Sequence, residues 1–288
     1  MNWITLTLIS SVVTAGNSIL DKWLADKQHP HPWVSAASFA VVGLPVAVIG
    51  VFTLPAVAWW RVLPAILSGM LFMGAAWLYY MTVGEEQISR LAPLLRLGIV
   101  FDWGLAFLFL GDRLSTRQIG ACVLLLSSGL LLNLQAEGRQ RLTFNRGAAR
   151  ILAITALLST HSILTAGVYR SVSLWHGIVW EKVGLLVGLL LGSVWFGRRA
   201  PRLYRQTDRR VWGVLLTEQT IRFLTGLAPA WAIAGGVPLI LPSLFGSARY
   251  IVIWALAVVL LKEPLTRHDA LFKGAGILGI ALGALWAA

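Results

Sequence analysis

The sequence is short of charge, and shortest of acid. Only 12% of its 288 residues are Asp, Glu, Lys or Arg, with 12 acidic side chains against 24 basic ones. A soluble domain carries about 25% charged residues, so this chain cannot cover a water-facing surface. The single cysteine, Cys122, excludes an intrachain disulfide, and no Cys/His spacing suggests a metal centre. No Gly-x-x-x-x-Gly-Lys-Ser/Thr loop is present, so ATP hydrolysis within the chain has no sequence support. No nucleophile–base constellation marks an enzyme, and no cofactor is expected. The first apolar stretch has no basic residue before it, so it is expected to be a structural helix rather than a cleavable signal peptide.

Apolar residues fill the space that charge leaves. They make up 57% of the chain, and mean hydropathy is +0.75. A helix needs roughly 20 apolar residues to cross the hydrocarbon core of a bilayer. By that ruler the chain holds ten spans, near 2–20, 33–52, 62–82, 91–110, 117–134, 148–169, 176–197, 211–233, 238–261 and 270–287. The apolar runs are continuous rather than alternating, which argues against barrel strands. The expected fold class is therefore an all-α integral membrane protein with ten transmembrane helices and short loops.

Basic residues gather in three of those loops. Arg139, Arg141, Arg146 and Arg150 lie between spans five and six, and Arg198, Arg199, Arg202, Arg205, Arg209 and Arg210 between seven and eight. Lys262, Arg267 and Lys273 follow the ninth span, whereas the other side offers only Arg61, Arg113, Arg117 and Arg170. The positive-inside rule then puts the basic loops in the cytoplasm and both termini outside. The basic runs flank membrane helices and lack interleaved aromatics, so anionic lipid headgroups are the expected partner and nucleic acid is not. Trp3, Trp23, Trp33, Trp59, Trp60, Trp175, Trp195, Trp212 and Trp286 lie at span ends, as an interfacial belt requires.

The second half of the chain repeats the first. Leu110-Gly-Asp112-Arg-Leu114-Ser115 precedes a small-residue apolar segment, and so does Leu261-Lys-Glu263-Pro-Leu265-Thr266. Asn17-Ser18-Ile19-Leu20 matches His161-Ser162-Ile163-Leu164, and Phe39 to Gly43 matches Trp180 to Gly184. The implied division is a first five-helix repeat over 1–134, a basic linker over 135–147 and a second repeat over 148–288. These motifs, with Ala92-Pro93 opening the fourth span, resemble the drug/metabolite transporter superfamily in its ten-helix form with two inverted EamA-type repeats. The resemblance covers nearly the whole chain. It implies a central cavity lined mainly by the first, third, fourth, sixth, eighth and ninth helices, with the fifth and tenth peripheral. Two departures stand out: the loop after the second span is nearly uncharged, and Ser38 stands where an Arg often precedes the Phe of that span. Familiar members keep their termini in the cytoplasm, opposite to the orientation that the charges favour here.

Ionisable side chains within a span cost a few kcal/mol each on insertion scales, so they persist where they pair or face a cavity. Arg96 and Asp102 fall in the fourth span, His161 in the sixth, Glu181 and Lys182 in the seventh, Glu218 and Arg222 in the eighth, and Arg249 in the ninth. Arg96 and Arg249 occupy equivalent places in the two repeats. Their planar forks suit a carboxylate or phosphate held between them; pairing with Asp102 or Glu218 is the structural alternative. Glu218 and Arg222 stand four residues apart, either as a self-neutralised pair or as an anion ligand with a proton carrier beside it. Asp102, about 9 Å along its helix from Arg96, needs another partner or a proton. Asn17 and His161 correspond through the repeat and are candidate substrate ligands. Glu181 and Lys182, adjacent on one helix, are expected to face different ways, with Glu181 towards the cavity. Met70, Met73, Trp77 and Tyr80 form a stripe that suits helix packing or an aromatic cavity rim, while Glu85 and Glu86 are expected in solvent.

The expectation is a secondary transporter in a bacterial-type plasma membrane. It would be a monomer that moves a small anionic or zwitterionic metabolite by alternating access, driven by exchange or by protons through Glu218, Asp102, His161 or Glu181. The substrate-binding set is Arg96, Arg249, Arg222, Asn17, His161, Trp77 and Tyr80. Two alternatives stay open. One is an exporter of amino acids or amphipathic drugs with an aromatic cavity, and the other is a flippase for a phosphorylated lipid carrier.

Overall fold

A computed structural model describes residues 3–28, 30–85, 98–113, 115–120, 146–197 and 199–246, with a few single positions elsewhere. Among these the regular structure is helical. The elements are α1 (Trp3–Lys27), α2 (Pro32–Thr53), α3 (Trp59–Glu85), α4 (Gly98–Leu105), α5 (Arg146–Ser171), α6 (Leu174–Phe196), α7 (Arg199–Gln206), α8 (Arg209–Ala234) and α9 (Ile240–Phe245). Five described helices are long and apolar enough to cross a membrane: α1, α2, α3, the Ala149–Ser171 part of α5, and α6. Exposed Leu44, Val48, Ile49, Phe52, Leu190, Leu191 and Val194 form the greasy flanks that a lipid-facing surface requires.

Local chemistry sets the helix starts. Pro32 opens α2 at a position where its missing N–H costs nothing, and the His31 ring accepts from Trp33 N at 3.2 Å. Ser173 accepts from His176 N to start α6, and Asp208 accepts from Arg210 N to start α8. At the end of α4 the helix widens to a π-turn over Ala106–Leu110 and stops at Gly111, whose φ of 68° suits a residue without Cβ.

Long helices joined by short turns run antiparallel, which gives the bundle an upper end where α1 begins and a lower end where it finishes. At the upper end Trp3 packs on Phe245 of α9, and His176 Nε2 meets the carbonyl of Pro55 at 3.0 Å. There Asp112 takes two bonds from Arg170, at 2.7 and 3.1 Å, and one from Leu239 N at 2.9 Å. The turn after α4, the end of α5 and the start of α9 are thereby tied together. At the lower end Trp33 Nε1 donates to Tyr204 at 2.7 Å, and Arg150 pairs with Glu85. Glu85 is therefore paired rather than only solvated, and Glu86 lies outside the described residues.

The closest crossing joins α3 to α6. A Cβ on Gly184 would overlap the carbonyl of Ile66, and one on Gly69 would overlap the carbonyl of Glu181. Small residues let the two backbones touch, as helices in lipid require when no hydrophobic force presses them together.

Two expectations need correction. α1 continues to Lys27, past the expected end at residue 20, because Lys22 pairs with Asp26 one turn on and donates to the carbonyl of Val83 at 3.1 Å. Trp33 is no interfacial anchor. It is buried among Ala36, Ala37, Met73 and Leu185, where its indole N–H finds Tyr204. Trp212 is partly buried and rests against Tyr204, while Trp23, Trp59, Trp60, Trp175 and Trp195 are exposed as expected. The fifth and tenth spans fall almost wholly outside the described residues.

Candidate functional site

A cavity of about 540 Å³ runs from the middle of the bundle towards its upper end. That size lies within the range of small-molecule sites. Its lining begins at Ser18, Tyr79 and Gln219 and reaches Thr7, Tyr169, Ile233 and Leu239 near the upper turns. Side chains come from the first, third, fourth, sixth, eighth and ninth spans. The second and seventh spans contribute as well, through Phe39, Val42, Gly43, Ile178, Glu181 and Lys182.

Below Ser18 and Gln219 the described parts of α1, α2 and α8 pack together. Leu24, Val34, Val211 and Leu215 form a buried cluster there, and Gln219 donates to the Tyr80 hydroxyl at 2.9 Å. An ion-pair cluster forms the cavity floor. Arg222 Nη2 donates to Asp21 Oδ2 at 2.7 Å and to Glu218 Oε1 at 2.5 Å, while the Tyr79 hydroxyl donates to Asp21 at 3.1 Å. Asp21 and Glu218 are fully buried, and Arg222 reaches past them to line the cavity with its guanidinium over the Phe39 ring.

A second pair sits on the wall. Lys182 Nζ lies 2.7 Å from Glu181 Oε1 and 5.4 Å from the Phe223 ring centroid, and both charged residues line the cavity. This corrects the expectation that neighbours on a helix must face different ways. Four methylenes let the Lys182 ammonium curl back across the 100° that separates the two residues, past Gly43, whose missing side chain leaves room for the lysine stem.

Hydroxyl groups coat much of the remaining wall. Thr7, Ser11, Thr14, Ser18, Ser162 and Thr165 each donate to the carbonyl four residues earlier, and Ser10 and Ser159 donate to the carbonyls of Thr225 and Gly98. Their protons are spent on the backbone, so these oxygens present lone pairs to a ligand. His161 stands among them. Its Nδ1 lies 2.6 Å from Ser68 Oγ and 3.3 Å from the carbonyl of Ser68. Ser68 Oγ thus bridges the His161 ring and the Thr165 hydroxyl, 2.5 Å away.

Four expected site residues line this cavity: Arg222, His161, Glu181 and Asp102. Asn17 and Glu218 are buried behind the wall, where Asn17 Nδ2 reaches the carbonyl of Glu218 at 3.5 Å. Tyr80 and Trp77 belong to the packing between α2, α3 and α6 and do not line the cavity, Trp77 standing edge-on to Phe196. The aromatic of α3 that lines the cavity beside this stripe is Tyr79, one residue and 100° round the helix from Tyr80, at the floor rather than the rim. Arg96 and Arg249 lie outside the described residues. Asp21 was missed because the first span was ended one residue short of it. Its signal was the stripe Ser10, Thr14, Asn17, Ser18, Asp21, polar at helical spacing along an otherwise apolar helix.

No protein-family model matches the chain, and no curated protein matches it. One solved structure, described only as "Crystal structure of protein", aligns over 98% of this chain and 98% of its own, with a TM-score of 0.67 at 15% identity. That likeness shows a shared fold.

Proposed function

We propose that this protein is a secondary transporter that carries a small zwitterionic or anionic organic metabolite across a membrane by alternating access. The observation that supports it best is a cavity in mid-bundle whose largely apolar wall presents charged side chains of both signs, Glu181 paired with Lys182 and Arg222 paired behind the wall with Glu218. A site that must bind and release needs charges whose existing partners a solute can replace. Lys182 and Arg222 meet that requirement: each is held by a carboxylate and each reaches the lining. A solute carboxylate would displace Glu181 from Lys182, while hydroxyl oxygens and the faces of Phe39, Phe72 and Phe223 would receive an ammonium group.

The packed lower end and the lined upper end then correspond to one of two access states. The opposite state is reached by rocking two five-helix halves of a ten-helix, EamA-type inverted repeat about the site. In this reading α1 and α5, the repeat counterparts carrying Asn17 and His161, run in opposite directions through the bundle. Arg96 and Arg249 would add the anion-binding forks expected from the sequence.

The aromatic lining favours a second reading, an exporter of amphipathic drugs in which the charges are structural only. Thermal stability of purified protein, measured with neutral amino acids, dicarboxylates, sugar phosphates and lipophilic amines, separates the two. Stabilisation follows the ratio of ligand concentration to dissociation constant. A carboxylate-bearing solute should raise the melting temperature, and Lys182→Met should weaken that solute's affinity at least tenfold. Stabilisation by lipophilic amines alone, unchanged in Lys182→Met, would replace the metabolite reading with the drug reading.

A further inference from the structure

We infer that Asp21 and Glu218 together form a binding site for a single proton, which loads when the lower end of the cavity is sealed; this deepens the transporter reading and rests on it. The argument begins with a charge count. Two carboxyl groups, both fully buried, converge on one nitrogen of one guanidinium. With every group ionised the cluster carries one surplus negative charge in a low-dielectric interior, where an uncompensated charge costs several kcal/mol.

The geometry shows where the missing positive charge belongs. Asp21 Oδ2 and Glu218 Oε1 share Arg222 Nη2, at 2.7 and 2.5 Å, and the other oxygen of each, Asp21 Oδ1 and Glu218 Oε2, is a buried acceptor without a hydrogen-bond partner. Facing carboxylate oxygens repel, but one proton between them turns the contact into a carboxyl–carboxylate hydrogen bond. The neighbouring groups do not fill that role, and Arg222 Nε, also buried, donates to neither oxygen. Tyr79 donates to the other oxygen of Asp21, and Asn17 donates to the backbone of Glu218. The amide nitrogen of Gln219 is committed to Tyr80, Lys22 to Asp26 and the Val83 carbonyl, and Lys182 to Glu181.

The location gives the proton a task. Asp21 belongs to α1, whereas Glu218 and Arg222 belong to α8, and their contact forms the floor above the packed lower end. Opening that end must separate α1 from α8. Glu218 and Arg222 would then remain together as a neutral pair, and Asp21 would be left in water as an ordinary carboxylate. The cluster thus holds one proton when sealed and releases it towards the lower side when open. Balance is kept: one O–H bond on the carboxyl pair breaks, and lower-side water takes the proton.

Infrared difference spectroscopy of the purified protein in lipid nanodiscs, titrated through neutral pH, reads this proton without any substrate. A protonated carboxyl C=O stretch should be present near neutral pH in the wild type, absent in Asp21→Asn and in Glu218→Gln, and retained in Asp102→Asn and Glu181→Gln. Asp21→Glu and Glu218→Asp, which keep both acids, guard against loss of fold and should retain a shifted band. A band unaffected by Asp21→Asn and Glu218→Gln would overturn the inference. So would its absence from wild type together with stabilisation by sodium chloride over choline chloride at fixed pH, which would assign the site to a metal cation. Either result leaves the transporter reading standing, because no solute enters the measurement.

Discussion

Arg222 is the cation on which two buried carboxyl groups depend. Removing one partner of a buried pair costs about 3–5 kcal/mol, because the charge left behind has no solvent. Arg222→Ala is therefore expected to be among the most destabilising single changes in the cavity, seen as a large fall in the thermal midpoint of tryptophan fluorescence. Adding Glu218→Gln and Asp21→Asn to it removes the stranded charges and should recover most of the loss. Failure of the triple variant to recover would mean that Arg222 stabilises through its packing on Phe39 rather than through charge. The Glu218–Arg222 half of this cluster was legible in the sequence, since Glu and Arg four residues apart on an apolar helix have few alternatives to pairing. The Asp21 half needed the fold. Nothing in the sequence says that a residue near the end of the first span meets one about 200 positions later.

The helices were legible as elements because a membrane demands long apolar runs, and the described ones lie where those runs do. Their ends were less so: polar residues such as Asp21 and Lys22 read as a boundary until partners elsewhere in the bundle are visible. The start of α2 shows how a loop side chain sets such a boundary. His31 caps the helix through a ring nitrogen that must be unprotonated to accept from Trp33 N. Partial burial lowers the His31 pKa below its usual 6.5, which favours the neutral, capping form. The sign follows from that depression. The contribution is complete above pH 6.5 and is lost as pH falls through the lower folded value. An N-cap is worth about 1 kcal/mol. His31→Asn, which caps without titrating, should be as stable as wild type near pH 8 and more stable near pH 5, with thermal midpoints as the readout. Equal pH dependence in the two proteins would show that the cap does not respond to His31.

At the scale of the whole molecule the cavity has a direction, and the surface charge gives that direction a compartment. The lower end carries Arg150, Arg199, Arg202, Arg205, Arg209 and Arg210, whereas the upper end carries Arg61, Arg113, Arg117 and Arg170. Cytoplasmic loops hold the excess of arginine and lysine in membrane proteins. On that rule the proposed transporter would, in this state, open away from the cytoplasm, with the Asp21–Glu218–Arg222 cluster on the inward side of the cavity. Two engineered cysteines in a Cys122→Ser background test this arrangement. Ser10→Cys lies on the cavity wall near the upper end, and Gln206→Cys is exposed on α7 at the lower end. A membrane-impermeant maleimide added to intact cells should label Ser10→Cys at once and Gln206→Cys only after permeabilisation. Acidifying the medium, which favours the protonated cluster, should raise labelling of Ser10→Cys relative to an exposed reference cysteine, whose own rate falls as its thiolate is protonated, and Asp21→Asn should abolish that relative rise. The reverse pattern, with Gln206→Cys labelled in intact cells, would turn the molecule over in the membrane. The cavity would then open to the cytoplasm, and the proton would be released outside.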